Sequence, residues 1–259
     1  MRKAYQLEQA SGGREQVFNH QEKESVRLNK YLANSGFCSR RQADKLIEEG
    51  SVTVDGQVAA TGSQVREGQV VLVNGTQVSD TQNHVYIVLN KPRGITCTVE
   101  KDIEGNISDF MDYPQRIFPI GRLDKDSSGL ILLTSDGDIV NKILRAENNN
   151  DKEYLVEVDK DITPIFLRKM ATGVEITNMR NKTRVVTKKC QVKQIDSRSF
   201  SIILTQGLNR QIRRMCTELG YKVVGLQRIR IMNIHLGSLK VGQWRYLTQE
   251  ELSTLNKMI

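Results

Sequence analysis

The sequence predicts an α+β protein with a small first domain and a larger second one. Helical and strand patterns alternate along the chain, and a polar stretch at 79–84 separates two regions of different composition. A chain of 259 residues with 38% hydrophobic content can also bury more than one core. We expect a flexible tail at 1–24, the small domain at 25–78, a linker at 79–84 and the larger domain at 85–259.

Two short helices are predicted at the start of the small domain. Leu28 and Leu32 have the spacing of one helical face, and Gly36 suits the left-handed position that ends a helix. Ser39 and Gln42 then have the spacing of a capping box, which predicts the start of a second helix.

The second helix is expected to be basic on its outer side. Arg40, Arg41 and Lys45 fall outside its apolar stripe, where they are free to meet a partner. Short strands follow, with hairpin-type turns at Asp55-Gly56 and Asn74-Gly75.

The charge of the chain favours a polyanionic partner. Lys and Arg number 38 against 30 Asp and Glu, which gives a net charge of +8 and a pI of about 9.3. A solvated surface with a basic bias is the alternative, unless the arginines are clustered.

Several classes of protein are disfavoured by composition. The longest apolar runs are far shorter than the ~20 residues of a membrane span, so we expect a cytoplasmic protein without a membrane partner. The four cysteines form no Cys-x-x-Cys pair, and the three histidines are isolated, so neither a zinc site nor a disulfide framework is indicated.

One carboxylate stands out in the larger domain. Asp124 lies in a polar turn bounded by Gly121 and Gly129, between two apolar runs that are typical of buried strands. It could be a turn residue that bonds to its own backbone. It could instead bind Mg²⁺ with Asp126, or act as a nucleophile or base kept ionised by an arginine.

Residues 209–220 are predicted to form a basic helix, with Asn209 as its N-cap and Gly220 after its end. Helical spacing places Arg210, Arg213 and Arg214 together, opposite an apolar face. Solvation could account for them, but three guanidiniums near the positive end of a helix dipole favour phosphate.

Two further positions in the larger domain carry structural predictions. Asp138 is expected to cap a helix that buries Ile139 and Ile143. Tyr154 begins an alternating strand, where an aromatic side chain belongs to the core or stacks on an extruded base.

Three segments resemble the signature motifs of the RsuA-type ribosomal RNA pseudouridine synthases. They are Phe-Pro-Ile-Gly-Arg-Leu-Asp-Lys-Asp-Ser-Ser-Gly-Leu around Asp124, Lys-Glu-Tyr at 152–154, and Gln-Gly-Leu-Asn-Arg-Gln-Ile-Arg-Arg-Met at 206–215. Residues 26–75 resemble the S4-type RNA-binding domain that precedes the catalytic domain in this family. Arg-Ile-Met-Asn at 230–233 is most similar to the RluF type, although the basic loop at 177–184 is longer than expected for that type.

The resemblance implies a fold and a reaction. The larger domain would contain a mixed, mainly antiparallel sheet flanked by helices. It would isomerise uridine to pseudouridine in a stem-loop of 23S rRNA, with a tRNA as a second candidate substrate. The enzyme would act as a monomer and need neither cofactor nor metal.

The resemblance also implies roles for single residues. Asp124 would start the reaction, as a nucleophile at the ribose C1′ or as a base at C2′. Arg213 would pair with Asp124 and lower its pKa, and Tyr154 would stack on the flipped uracil and assist proton removal. The residues expected to contact RNA are Arg122, Leu123, Lys125, Arg210, Gln211, Ile212 and Arg214 near the nucleotide, and Arg40, Arg41 and Lys45 in the first domain.

Two other functions compete with this hypothesis. A noncatalytic RNA-binding or ribosome-assembly factor would use the same basic surfaces, with Asp124 only a turn residue. A metal-dependent ribonuclease would use Asp124 and Asp126.

Overall fold

The computed structural model describes residues 25–79, 84–100, 102–144, 150–177 and 182–259. The predicted tail at 1–24, most of the predicted linker and the centre of the loop at 177–184 lie outside these ranges. None of the helices in the described ranges combines the length and the apolar composition that a membrane span needs.

The first unit has two helices and short antiparallel strands. In chain order its elements are β1 (Val26–Arg27), α1 (Leu28–Asn34), α2 (Arg40–Glu48), β2 (Val52–Val54), β3 (Gln57–Val58), β4 (Gln64–Val65), β5 (Val71–Val73) and β6 (Thr76–Val78). Four strands form a sheet in the order β3-β2-β5-β6, and β1 pairs with β4.

Local signals in this unit agree with the sequence predictions. The Ser39 side chain accepts the Gln42 backbone N–H while the Gln42 side chain accepts the Ser39 N–H, so the predicted capping box starts α2. Gly36 follows α1 with φ +77°, as its predicted position requires. Both predicted hairpin turns have positive φ at their two central residues.

The second unit is built on one large sheet. The strands of this unit are β7 (Tyr86–Lys91), β8 (Phe118–Pro119), β9 (Ser128–Thr134), β10 (Lys152–Val158), β11 (Glu175–Thr177), β12 (Arg184–Val186), β13 (Gln191–Gln194), β14 (Ser199–Leu204), β15 (Val223–Ile231), β16 (Ile234–His235) and β17 (Trp244–Tyr246). Of these, β11 and β12 pair with each other outside the large sheet. Its helices are α3 (Ile107–Met111), α4 (Gly137–Leu144), α5 (Pro164–Thr172), α6 (Gln211–Glu218) and α7 (Gln249–Met258).

The nine-stranded sheet confirms the predicted mixed, mainly antiparallel arrangement. Its main path is β13-β14-β10-β15-β9-β7-β17, with β8 paired to β9 and β16 paired to β15. The pairing of β9 with β15 is parallel, and the other pairings described in this sheet are antiparallel.

Strand β9 is buried on both faces, which fixes the end from which the Asp124 turn emerges. Leu130 and Leu132 pack in one core cluster, while Ile131 and Leu133 pack in another on the opposite face. Burial on both sides explains why this strand reads as a continuous apolar run.

The two units contact each other where α1 and α2 face the start of α4. The Lys30 ammonium contacts the Asp138 carboxylate, and Arg40 Nη2 lies 3.7 Å from its other oxygen. The prediction that Asp138 caps α4 is wrong, because the helix begins at Gly137. Asp136 Oδ1 is the cap and accepts the Asp138 backbone N–H at 2.8 Å, which leaves the Asp138 side chain for the first domain.

Candidate active site

Residues 121–127, here called the Asp124 loop, connect β8 to β9, and the neighbours of Asp124 are held on both sides. The Leu123 N–H donates to Cys97 Sγ at 3.4 Å. The Gly94 N–H donates to the Lys125 carbonyl at 2.8 Å. The segment after β7 therefore holds the backbone on either side of Asp124.

The Asp124 carboxylate is available to an outside partner. The Ser127 N–H bonds to the backbone carbonyl of Asp124 at 3.0 Å and closes the turn. Among the described residues no hydrogen bond ties the carboxylate to this turn, and its side chain is 29% exposed. A role only in stabilising the turn would need such a bond.

Arg210 provides the nearest cation. Its Nη1 lies 3.8 Å from Asp124 Oδ2 and 3.5 Å from Asp126 Oδ2. With 43% of the Arg210 side chain exposed, such a pair stabilises by only ~0–1 kcal/mol. Arg210 itself is the N-cap of α6, with φ +47°, so the prediction that Asn209 caps this helix is wrong by one residue.

Arg213 reaches the backbone of the Asp124 loop. Its Nη2 donates to the Asp126 carbonyl at 3.1 Å and to Ser127 Oγ at 3.3 Å, while its Nη1 donates to the Val223 carbonyl at 3.3 Å. Burial lowers the pKa of Arg213, and the nearby Asp124 charge opposes that shift. The direct ion pair between Arg213 and Asp124 stays a prediction.

Arg214 has different partners from the other two arginines. Its guanidinium donates to the backbone carbonyls of Thr177 and Asn209. The prediction of one shared arginine face is therefore wrong for Arg214, because these two carbonyls draw its side chain to a different side of α6. Contact of Arg214 with RNA stays a prediction.

Tyr154 lies two strands away from the start of β9, where the Asp124 loop ends. In β15, Arg228 is aligned with Tyr154 on β10 and with Gly129 on β9. Tyr154 is half-buried and packs against the core. Arg228 is only 3% exposed, and its Nε donates to the Leu130 carbonyl at 2.7 Å. The role of Tyr154 against a base stays a prediction.

The remaining predicted contact residues divide by burial. Those packed inside the protein, where they support the loops, are Leu123, Gln211 and Ile212. Those exposed to solvent are Arg122, Lys125, Arg40, Arg41 and Lys45. Only the second group is ready to contact RNA without rearrangement, and for both groups the contact stays a prediction.

Sequence reasoning missed Lys91. Its side chain is fully buried at the end of β7, where Nζ donates to the Pro92 carbonyl at 2.8 Å and to the Ile95 carbonyl at 2.9 Å. Burial lowers the pKa of Lys91 to about 8. Lys91 shapes the turn whose Gly94 N–H holds the Asp124 loop. The sequence signal for it was a lysine two positions after the apolar run at 85–89.

In the described ranges, the magnesium alternative would have only the Asp124 and Asp126 carboxylates as protein ligands. These residues contain no group of three or more His, Cys, Asp or Glu side chains arranged to hold a metal ion. Asp124 and Asp126 both face Arg210.

Two family profiles match this chain. The one described as RNA pseudouridylate synthase matches residues 85–218, and the S4 domain profile matches residues 26–71. The S4 match lies in the first unit, and the other begins just before β7 and ends with α6.

Curated proteins and a solved structure are similar over most of the chain. The dual-specificity RNA pseudouridine synthase RluF of Escherichia coli K12 is 54% identical over 237 residues, which cover 91% of this chain and 80% of that protein. The ribosomal large subunit pseudouridine synthase B of Bacillus subtilis 168 is 36% identical and covers 90% of this chain and 96% of its own. A crystal structure of a pseudouridylate synthase aligns with a TM-score of 0.64 and 30% identity, covering 90% of this chain and 100% of that one.

Proposed function

This chain belongs to the RNA pseudouridylate synthase family, and we propose that it isomerises a uridine in a stem-loop of 23S ribosomal RNA. Membership confirms the predicted enzyme class and the predicted S4 domain. It does not favour the noncatalytic alternative.

The names of the similar proteins support the choice of substrate. The relative from Bacillus subtilis is named for the large ribosomal subunit, and the one from Escherichia coli is called dual-specificity. We therefore include a tRNA as the second candidate substrate. A ribosomal RNA substrate also implies a cytoplasmic enzyme.

The observation that carries this proposal is the setting of Asp124. Its carboxylate lies on a loop whose backbone is held from both sides, 3.8 Å from the Arg210 guanidinium. Groups fixed in this way can meet a reacting atom without further ordering.

Asp124 can start the isomerisation by either of two routes. As a nucleophile it attacks the ribose C1′, and as a base it removes the proton from C2′. In both cases the bond from C1′ to N1 of uracil breaks, the detached ring turns over, and its C5 bonds to C1′. As C5 bonds to C1′, the bond from Asp124 to C1′ breaks on the first route, and Asp124 returns the proton to C2′ on the second. Loss of the C5 proton and protonation of N1 then complete a reaction that neither adds nor removes atoms overall.

The arginines and Tyr154 would support this chemistry. Arg210 faces the Asp124 carboxylate at 3.8 Å and Arg213 donates to the backbone of the same loop, so both cations would attract the carboxylate more strongly once RNA excludes water from the site. Tyr154 would stack on the uracil, which must leave its helix at a cost of a few kcal/mol. A loop or bulge lowers that cost, because its bases are already unstacked.

The first domain would hold RNA away from the reaction centre. Joining two modest contacts on one chain raises the overall affinity without a new base contact. Arg41 and Lys45 are exposed on α2 and would make this contact with RNA.

We also propose that the enzyme acts as a monomer. Arg210, Cys97 and Arg213 of the same chain contact Asp124 or the loop that carries it, so a second copy is not needed to hold this loop. Light scattering during size-exclusion chromatography, at the concentration used for activity assays, should give a mass near 29.4 kDa.

Tritium release from a 23S stem-loop RNA that contains 5-tritiated uridine tests the function. We expect the wild type to release tritium in the presence of EDTA. Asp124→Asn should lower the rate of release by about 10²–10⁴-fold. Asp126→Asn is the matched control, since it removes a carboxylate from the same loop.

Each competing function gives a different result in this assay. RNA that binds without tritium release would favour the noncatalytic factor. RNA that is cleaved, with cleavage abolished by EDTA, would favour the ribonuclease.

A further inference from the structure

A cleft of about 210 Å³ separates the first domain from the second. Asn34 and Arg40 line it on one side, and Arg116, Phe118 and Asn141 line it on the other. Pockets that enclose a whole small-molecule ligand usually have about 300–1,000 Å³. The cleft is therefore better suited to part of a polymer that enters from outside.

The cleft has more cations than carboxylates. Arg116 lies 5.5 Å from the centre of the Phe118 ring and, among the described residues, has no carboxylate within ion-pair distance. Arg40 shares the carboxylate of Asp138 with Lys30. The lining residues include two guanidiniums and no carboxylate, and a half-buried guanidinium without an acid favours an anionic ligand.

The cleft also lies close to the reaction centre. It contacts the first turns of α4, and the far end of this helix reaches the Asp124 loop, where Leu144 Cδ2 would lie 3.1 Å from a Cβ added at Gly121. Eight helical residues span ~12 Å. One RNA strand could therefore occupy the cleft and the Asp124 site together.

We propose that this cleft binds a phosphate and sugar of the substrate RNA outside the Asp124 site, which would take the uridine that reacts. Arg40 and Arg116 contact the phosphate, and the amides of Asn34 and Asn141 contact the ribose hydroxyls. The inference rests on the proposed function, because it assigns a second contact to the same RNA. Its two walls belong to the two domains, so RNA bound here also fixes how the domains face each other.

Charge changes at two positions test the cleft. With the 23S stem-loop as the probe, Arg116→Gln should raise Kd on the order of threefold to tenfold and make the dependence of log Kd on log salt shallower by about 0.7–0.9. Asn141 is exposed on α4, so its replacement should leave the core intact. Asn141→Asp should weaken binding, and Asn141→Lys should strengthen it.

Arg198→Gln is the matched control. Arg198 is exposed and pairs with Asp161, in a part of the second domain outside the cleft. Its replacement should leave Kd and the salt dependence unchanged.

The outcomes separate this inference from the proposed function. Equal Kd values for Asn141→Asp, Asn141→Lys and wild type would overturn the inference, even if Arg116→Gln failed to fold. A wild type that binds the stem-loop but releases no tritium would overturn the proposed function and leave the cleft as an RNA site. A wild type that does not bind the stem-loop would overturn both.

Discussion

The Asp124 loop and the outer side of α2 hold their charged groups in opposite ways. In the loop, the Lys125 carbonyl accepts the Gly94 N–H, and the Asp126 carbonyl accepts a hydrogen bond from the Arg213 guanidinium. On α2, the Lys45 side chain is 77% exposed and forms an ion pair at 3.7 Å with Glu49 of its own helix.

This difference follows from what each region has to do. A group that makes or breaks a bond must stay within a fraction of an ångström of its target, so its support is rigid. A lysine that meets a phosphate acts as a point charge on a flexible stem and can follow its partner. The largest losses of activity should therefore come from the support of the loop.

Arg213→Ala should give the largest effect among the supporting residues. It removes a guanidinium that braces the Asp126 carbonyl and lies near the Asp124 charge, so we expect the single-turnover rate to fall about 10²–10³-fold. Affinity for the stem-loop, measured by filter binding, should change far less. Arg214→Ala is the control from the next position, and equal losses in both variants would argue against a special role for Arg213.

Comparing wild type with Lys91→Met at different pH values should show how much the buried ammonium lowers the free energy of unfolding. Burial lowers the pKa of Lys91 from 10.5 to about 8, so between these values the unfolded chain binds more protons than the folded one. The free energy of unfolding of wild type should therefore rise with pH relative to the variant, by up to about 3 kcal/mol across this window. Below pH 8 the destabilisation by the buried Lys91 ammonium is fully present.

Urea unfolding of both proteins at pH 7.5 and pH 10 measures this difference. Lys240→Met replaces an exposed loop lysine and is the matched control. A difference between wild type and Lys91→Met that stays constant with pH would show that Lys91 does not titrate in this window.

The double change Arg41→Gln and Lys45→Gln should give the smallest effect. Both side chains are exposed, and their loss should make the salt dependence of RNA binding shallower by about 1.5, with a modest rise in Kd. The rate at saturating RNA should fall much less than after Arg213→Ala. A large loss of that rate would mean that α2 also positions the reacting nucleotide.

Features governed by neighbouring residues could be predicted from the sequence. The Ser39 capping box and the turns at Asp55-Gly56 and Asn74-Gly75 depend on contacts within a few positions, and the structure has all three. The alternating and continuous apolar runs likewise predicted the strands around Asp124.

Side-chain directions could not be predicted, because they depend on acceptors far away in the chain. Helical spacing predicts Arg214 on the same face of the helix as Arg213, yet its guanidinium donates to the Thr177 carbonyl. Asp138 has the spacing of a cap, yet it contacts Lys30, more than a hundred positions earlier. Helical periodicity gives the face of a helix but not the partner that a long side chain selects.

The parallel join between β9 and β15 has a consequence for the order in which the enzyme is made. At this join Gly129 lies against Arg228, so close that a Cβ on the glycine would be 2.2 Å from the Arg228 carbonyl oxygen. The two residues are about a hundred positions apart, and such distant pairings form late. A nascent chain that ends just after the Asp124 loop thus contains the reactive carboxylate but not β15, the strand that pairs with β9. We expect nascent chains shorter than about 223 residues to be inactive, so the enzyme would acquire its activity only after β15 has been synthesised.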